Sequence, residues 1–150
     1  MNNINTMPAI LLVEDNPADQ RLTQRALKRG SLDVKLIIVN DGQEAMDYLL
    51  GNEPFSNRTI HQIPDLILLD INMPRMDGFQ VLKEIREHET LRTVPVIMLT
   101  TSSHERDVIE SYQLGVNAYI NKPVQIEEFI KAILRVEDFW LKLSILPTYN

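Results

Sequence analysis

The chain has 150 residues, 44% hydrophobic and 24% charged, with a net charge of −6 and no cysteine. This fits one soluble domain with a sizeable core, and it excludes a disulfide framework and thiolate chemistry. An acidic chain with no Lys/Arg block argues against nucleic-acid binding, its short apolar runs cannot span a bilayer, and the opening MNNINTM lacks the regions of a signal peptide, so a cytoplasmic protein is expected.

Ala9 to Val13 is a short apolar run followed by Glu14-Asp15-Asn16-Pro17. Pro17 suits the first turn of a helix, whose stripe is Leu22, Ala26 and Leu27 and whose end is Gly30. Val34 to Val39 reads as a second strand. Asp41-Gly42 marks a turn, and Ala45, Met46, Leu49 and Leu50 a short helix stopped at Gly51. Residues 51 to 64 read as a long loop. Leu66 to Leu69 is a third strand, ending on Asp70. Phe79, Leu82, Lys83, Ile85 and Arg86 suit a helix after Gly78. Val96 to Leu99 is a fourth strand, and Val108, Ile109, Tyr112 and Leu114 suit a helix closed by Gly115. Ala118 to Ile120 is a fifth strand, and a long final helix starts at Ile126. Five buried-type runs alternating with five helical patterns predict an α/β fold: a flavodoxin-like, doubly wound parallel sheet with an extended C-terminal helix.

Sites in such sheets lie at the carboxyl ends of the strands. There the sequence puts Glu14-Asp15, Asp70, Thr100-Thr101 and Lys122-Pro123, while Asn40-Asp41 ends the second strand with no obvious partner. Three carboxylates converging on one rim disfavour joint ionisation and need a positive charge. Oxygen ligands without His or Cys favour a hard divalent ion, Mg2+ or Mn2+. Lys122 supplies a fixed cation, and Thr100 and Thr101 supply hydroxyls. A carboxylate so placed is equipped to take a phosphoryl group as an aspartyl phosphate. The apolar strand then holds Asp70 still at its last, reachable position.

The motifs LLVEDN, LILLDINMPRMDG, VIMLTT and AYINKP, in this order and each at its own strand end, resemble the receiver domain of two-component response regulators. The resemblance covers roughly residues 9 to 135. It implies that Asp70 accepts phosphate from a histidine kinase or a histidine phosphotransfer protein. It implies that Asp15, Asp70 and the main-chain carbonyl of Asn72 ligate Mg2+, with Glu14 helping through water. It implies that Thr100 and Lys122 bind the phosphoryl oxygens, that Lys122-Pro123 is a cis peptide, and that Thr100 and Tyr119 form a switch. Thr101 stands where the family usually has a smaller residue. With GNEPFSNRTIHQIP, VEDFWLKLSILP, VEDNPAD and LTTSS, the chain looks most similar to single-domain response regulators paired with phytochromes, many of them cyanobacterial.

Plainer roles exist for the same residues. Asp15 has the chemistry of a helix cap, Lys122 of an exposed lysine, Thr100 of a strand former and Tyr119 of core. Strand alternation puts Tyr119 on the face opposite Lys122. His61, His88 and His104 lack ligand spacing and read as solvent-facing. An aspartyl-nucleophile phosphatase would need a second acid close after the nucleophile, where Asn72 stands. A nucleotide or flavin binder would need a Gly-rich loop where VEDNPAD stands. The reading is therefore a signalling module, not a turnover enzyme, whose output passes through protein contacts.

Residues 1–8 read as a polar tail, 9–135 as the receiver and 136–150 as a helical extension and tail of the same domain. Ile126, Phe129, Ile130, Ile133 and Leu134 form one apolar stripe at helical spacing. Glu137 falls near its middle, which a continuing core face would not allow. Val136, Phe139, Trp140 and Leu143 form a displaced stripe. The expectation is that Phe139, Trp140 and Leu143 make a homodimer contact beside the fourth helix and fifth strand. The competing expectation is that this face folds back, covered by Ile145-Leu146-Pro147.

Overall fold

A computed structural model describes residues 7–53, 55 and 63–147. Most of the loop expected at residues 51–64, with His61, and the first residues of the N-terminal tail lie outside them. Five strands, β1 (Ala9–Val13), β2 (Lys35–Val39), β3 (Leu66–Leu69), β4 (Val96–Thr100) and β5 (Ala118–Asn121), alternate with five helices. These are α1 (Pro17–Arg29), α2 (Gly42–Leu50), α3 (Gly78–Glu87), α4 (Glu105–Gln113) and α5 (Ile126–Val136). All pairings are parallel, in the order β2-β1-β3-β4-β5. This is the doubly wound order in which β1 and β3 lie side by side at the point where the winding reverses.

The continuous apolar runs are explained by two-sided burial. Leu11, Val13, Ile67, Leu69 and Met98 face α2 and α3, packing on Ala45, Leu49, Val81, Leu82 and Ile85. Ile10, Leu12, Leu66, Leu68, Ile97 and Leu99 face α1 and α5, packing on Ala26, Leu27, Phe129, Ile130 and Ile133. Each such side chain contributes about 1.5–3 kcal/mol on burial.

The helices start where the sequence supplies caps. Asn16 caps α1 by accepting from the Ala18 and Asp19 N–H groups, with Pro17 next. Asp15 is therefore free of the capping role. Asp77 and Gln80 form a reciprocal capping box at α3. Gly51, with φ 73°, closes α2 in the left-handed conformation.

Several expectations are corrected. Ile126 is half-exposed, so the buried stripe of α5 begins at Phe129. The expected helix forms as α4, but its apolar stripe is only partly packed: Ile109 and Tyr112 are exposed, Val108 is partly covered, and Leu114 packs on the core. His88 is partly covered, and its Nδ1 accepts from the Thr90 N–H.

The largest correction concerns Glu137. The chain runs on from α5 as a π-helical segment, Glu137–Leu143. The wider turn swings Glu137 inward, where it is 1% exposed. Its Oε2 accepts from the Leu32 N–H at 3.1 Å, and Lys142 Nζ donates to Ser31 Oγ at 2.8 Å. Gly30 makes room, since a Cβ there would lie 1.9 Å from Glu137 Oε1. Trp140 packs on the core of its own chain, while Phe139 and Leu143 are exposed. Ile145 is also exposed, so the expected cover over this face is not formed by it.

Gly78 abuts the end of β3: a Cβ there would lie 2.3 Å from the Asp70 carbonyl oxygen, a backbone atom with nowhere to go. Gly78→Ala should therefore destabilise the fold by about 2 kcal/mol, the range of core overpacking, seen as a lower urea midpoint with an unchanged slope.

Candidate functional site

Backbone register brings the strand ends to one rim. Val13 pairs with both Val39 and Leu69. Just beyond, the Asp70 N–H donates to Val13 O and the Glu14 N–H to Val39 O. On the other side, the Lys122 N–H donates to Thr100 O at 2.7 Å. Glu14, Asp70 and Lys122 are thus each set one residue past the end of a parallel strand, and Thr100 is the last paired residue of β4.

One ligand oxygen from each of Glu14, Asp15 and Asp70 lies within 4.8 Å of the others, close enough for one ion to touch all three. Glu14 and Asp70 are buried and Asp15 is exposed. Two are fixed by the backbone: Glu14 Oε2 accepts from the Asn16 N–H at 3.0 Å, and Asp70 Oδ1 from the Ile71 N–H at 2.8 Å. Asn72 follows two residues after Asp70 and is exposed.

Lys122 is buried among acids. Its Nζ donates to Glu14 Oε1 at 2.5 Å, to Asp19 Oδ2 at 2.8 Å and to Asp70 Oδ2 at 3.4 Å. Burial works to lower its pKa, but the hydrogen bonds to Asp19 and Glu14 and the charge of Asp70 outweigh it and hold Lys122 cationic. One cation does not neutralise the cluster. Burial, reinforced by the charge of Asp70, raises the Glu14 carboxyl above its ordinary value against the pull of Lys122 and the Asn16 N–H. An oxygen-only donor set with excess negative charge fits Mg2+ or Mn2+.

Thr100 is fully buried beside this rim, and Thr101 is exposed. Tyr119 is partly buried on the α2–α3 side of the sheet, opposite its neighbours Ala118 and Ile120, as alternation requires. Its hydroxyl donates to Ser102 O at 2.8 Å, and Ser102 Oγ donates to Asp107 Oδ2 at 2.6 Å. This ties β5 through the β4–α4 loop to α4. The structure does not bring Phe139, Trp140 and Leu143 to this rim; they lie on the π-helical segment beyond α5.

Sequence reasoning missed Asp19. It stands in the first turn of α1, where an acid is an ordinary helix-start feature. Nothing in the sequence marks it out; only the fold brings its carboxylate to Lys122. The end of β2 also has partners after all. Asn40 Oδ1 accepts from Gln20 Nε2, whose amide also donates to Glu14 O, and Asp41 pairs with Arg75.

This rim and this strand order are those of a receiver: the chain belongs to the response regulator receiver domain family, which matches residues 10–134. It is 44% identical over 143 residues to response regulator Rcp1 of Synechocystis sp., covering 95% of each chain. Among solved structures it is similar to the phosphorylated cyanobacterial phytochrome response regulator RcpA. There the TM-score is 0.90 at 42% identity, over 95% of this chain and 100% of that one. The Mn2+-bound form of Rcp1 matches with a TM-score of 0.88 at 44% identity, over 94% of this chain and 99% of that one. Receiver domains are signalling proteins rather than metabolic enzymes. Among the described residues no helix is long and apolar enough to cross a membrane.

The raised Glu14 carboxyl would make binding of a divalent ion pH-dependent. A carboxyl whose folded pKa lies above 4.5 binds its proton more tightly when folded, so ionising it costs stability as pH rises through that range. A divalent ion removes that cost and competes with the proton. Mg2+ at about a hundred times its dissociation constant should stabilise the fold by about 2.7 kcal/mol. The gain in melting temperature should be larger at about pH 7.5 than at about pH 5, and Asp15→Asn should remove most of it in differential scanning calorimetry.

Proposed function

We propose that this protein is a signalling receiver that takes a phosphoryl group onto Asp70 from a partner histidine kinase in a Mg2+-dependent reaction, and passes the change on through protein contacts. The observation that carries this reading is the rim itself: a backbone-fixed, barely exposed Asp70 between an acidic ion cradle and the Lys122 ammonium.

In the step proposed, an Asp70 carboxylate oxygen attacks phosphorus, the N–P bond of a phosphohistidine breaks, and its electron pair stays on the imidazole nitrogen, which takes up a proton. The ion, held by Asp15, Asp70 and the Asn72 carbonyl with Glu14 in support, would neutralise charge on the phosphoryl oxygens. Asp70 Oδ1 is occupied by the Ile71 N–H, which leaves Oδ2, on the Lys122 side, as the attacking oxygen. Lys122 exchanges carboxylate partners for a phosphoryl oxygen, and the Thr100 hydroxyl supplies a second donor.

Among the described residues the Thr100 hydroxyl has only a long contact of 3.5 Å from the Ser102 N–H, so little there holds it from turning to a phosphoryl oxygen. That turn would disturb the loop to which Tyr119 is tied and let Tyr119 move inward, altering the β4–α4 and β5 surface. A phytochrome is the kinase this reading favours. Support comes from the cyanobacterial phytochrome response regulator above and from RPA3017, a response regulator in red light signalling of R. palustris. A homodimer through Phe139 and Leu143, with Trp140 as the packed base beneath Phe139, accounts for two large apolar side chains left exposed.

Incubated with acetyl phosphate and Mg2+, the parent should gain one phosphoryl group by intact-mass measurement. Asp70→Asn should gain none while keeping its circular dichroism spectrum, and label on that variant would refute the assignment. Sedimentation tests the dimer separately: Phe139→Ala/Leu143→Ala should shift the protein toward monomer, and a parent already monomeric at tens of micromolar with and without phosphate would refute it.

A further inference from the structure

The β3–α3 loop, residues 71–77, leaves Asp70, carries Asn72 and ends at the cap of α3. Its near end is tied to the strand: the Gly78 N–H donates to Ile71 O at 2.8 Å. Its far end is tied to a different element. Asp41 caps α2 by accepting from the Glu44 N–H at 2.8 Å. The same carboxylate takes two hydrogen bonds from Arg75, Nε to Oδ2 at 2.9 Å and Nη2 to Oδ1 at 3.1 Å. That planar two-point pairing fixes orientation as well as distance. Although burial tends to raise the Asp41 carboxyl, the Arg75 guanidinium and the Glu44 N–H hold it below its ordinary value.

The backbone at Arg75 is unusual. It is the only non-glycine residue with positive φ among those described, at 67°. The Met76 N–H donates across it to Pro74 O at 2.8 Å, making Arg75 the centre of a three-residue γ-turn of the rare positive-φ kind. Such a conformation persists only where its surroundings hold it, and it concentrates at functional sites. The next residue is held as well. Met76 O sits so close over Gly42 that a Cβ there would lie 2.0 Å from it. The loop is thus fastened to the start of α2 at two adjacent points.

We propose that the Asp41–Arg75 pair is a positioning device for the phosphoryl-transfer site, holding the β3–α3 loop so that the Asn72 main-chain carbonyl stays in place as an ion ligand. This rests on the reading of the site given above. Arg75 touches none of the reacting atoms and acts through the loop. A main-chain carbonyl has no rotamers with which to find an ion, so it is placed only as well as its backbone. Mg2+ demands near-ideal octahedral geometry, so looseness in the loop appears as lost ion affinity. Asp70, Lys122 and Thr100 are held by strand ladders and not by this pair, so the chemical step at saturating Mg2+ is spared.

The test uses the full chain with Arg75→Gly, Arg75→Lys and Asp41→Asn. Glycine adopts positive φ without strain, so Arg75→Gly removes the pair while keeping the turn. It also removes a positive charge, which by itself would favour Mg2+, so weaker binding cannot come from charge. Asn keeps the α2 cap. Two readouts are followed: the rate of labelling by acetyl phosphate against Mg2+ concentration, and Mn2+ binding by electron paramagnetic resonance.

Arg75→Gly should raise the half-saturating Mg2+ about tenfold and weaken Mn2+ binding in parallel. The saturating rate should stay near that of the parent, and the urea midpoint should be unchanged or higher. Asp41→Asn should follow it, and Arg75→Lys should fall between. Unchanged ion affinity in Arg75→Gly and Asp41→Asn would overturn the proposal, as would a rate lowered equally at every Mg2+ concentration. A parent that binds Mn2+ but takes no label refutes the phosphoryl reading instead, and Mn2+ affinity then decides the role of the pair.

Discussion

The Lys122 ammonium sits in a buried pocket with Glu14, Asp19 and Asp70 as its partners. Removed from water, each of those carboxylates would be costly alone, and together they would repel. One cation makes them tolerable without neutralising them. Under the proposed function the residual negative charge would cradle a divalent ion, and the same ammonium would serve an incoming phosphoryl group. The stability of this cluster and its proposed chemistry therefore depend on one side chain. Removing a single partner from such a buried set typically costs about 3–5 kcal/mol.

The rest of the fold delivers those groups to one place. A parallel sheet with both faces covered turns its strands into rigid posts, and the hydrogen bonds just past their ends fix Glu14, Asp70 and Lys122 relative to one another. Helices do the fine placement. The Asn16 cap starts α1 so that its first turn brings Asp19 to the ammonium, and Gly78 lets α3 begin directly against the Asp70 carbonyl. Tyr119, Ser102 and Asp107 connect the rim to α4. That helix buries only Ser111 and leaves Ile109 and Tyr112 exposed, so little packing resists a change in its position.

The strand order and the main rim were legible in the sequence because buried parallel strands are written as unbroken apolar runs. An acid, a threonine or a lysine at the end of such a run stands out. Asp19 did not, because an acid in the first turn of a helix is commonplace. Arg75 did not, because its partner Asp41 lies on another strand end and its turn geometry has no sequence signature without a glycine. Glu137 stands out of place only if the α-helical angle continues unchanged past Val136. The π-helical segment breaks that period and gives the carboxylate the Leu32 N–H, although its Oε1 has no hydrogen-bond partner among the described residues. The same break turns Trp140, which a constant helical period places outward, in against the core.

Lys122 is proposed as a charge that changes partners, with Asp70 Oδ2 as the atom around which it does so. The most direct measurement is a crystal structure of the protein with Mn2+ and beryllofluoride, a stable mimic of a phosphoryl group. Beryllium is expected on Asp70 Oδ2, with Lys122 Nζ withdrawn from Glu14 or Asp19 to a fluorine and Mn2+ contacted by Asp15, Asp70 and the Asn72 carbonyl. Beryllofluoride bound away from Asp70, or a Lys122 that keeps all its carboxylate partners beside an occupied Asp70, would contradict that proposal.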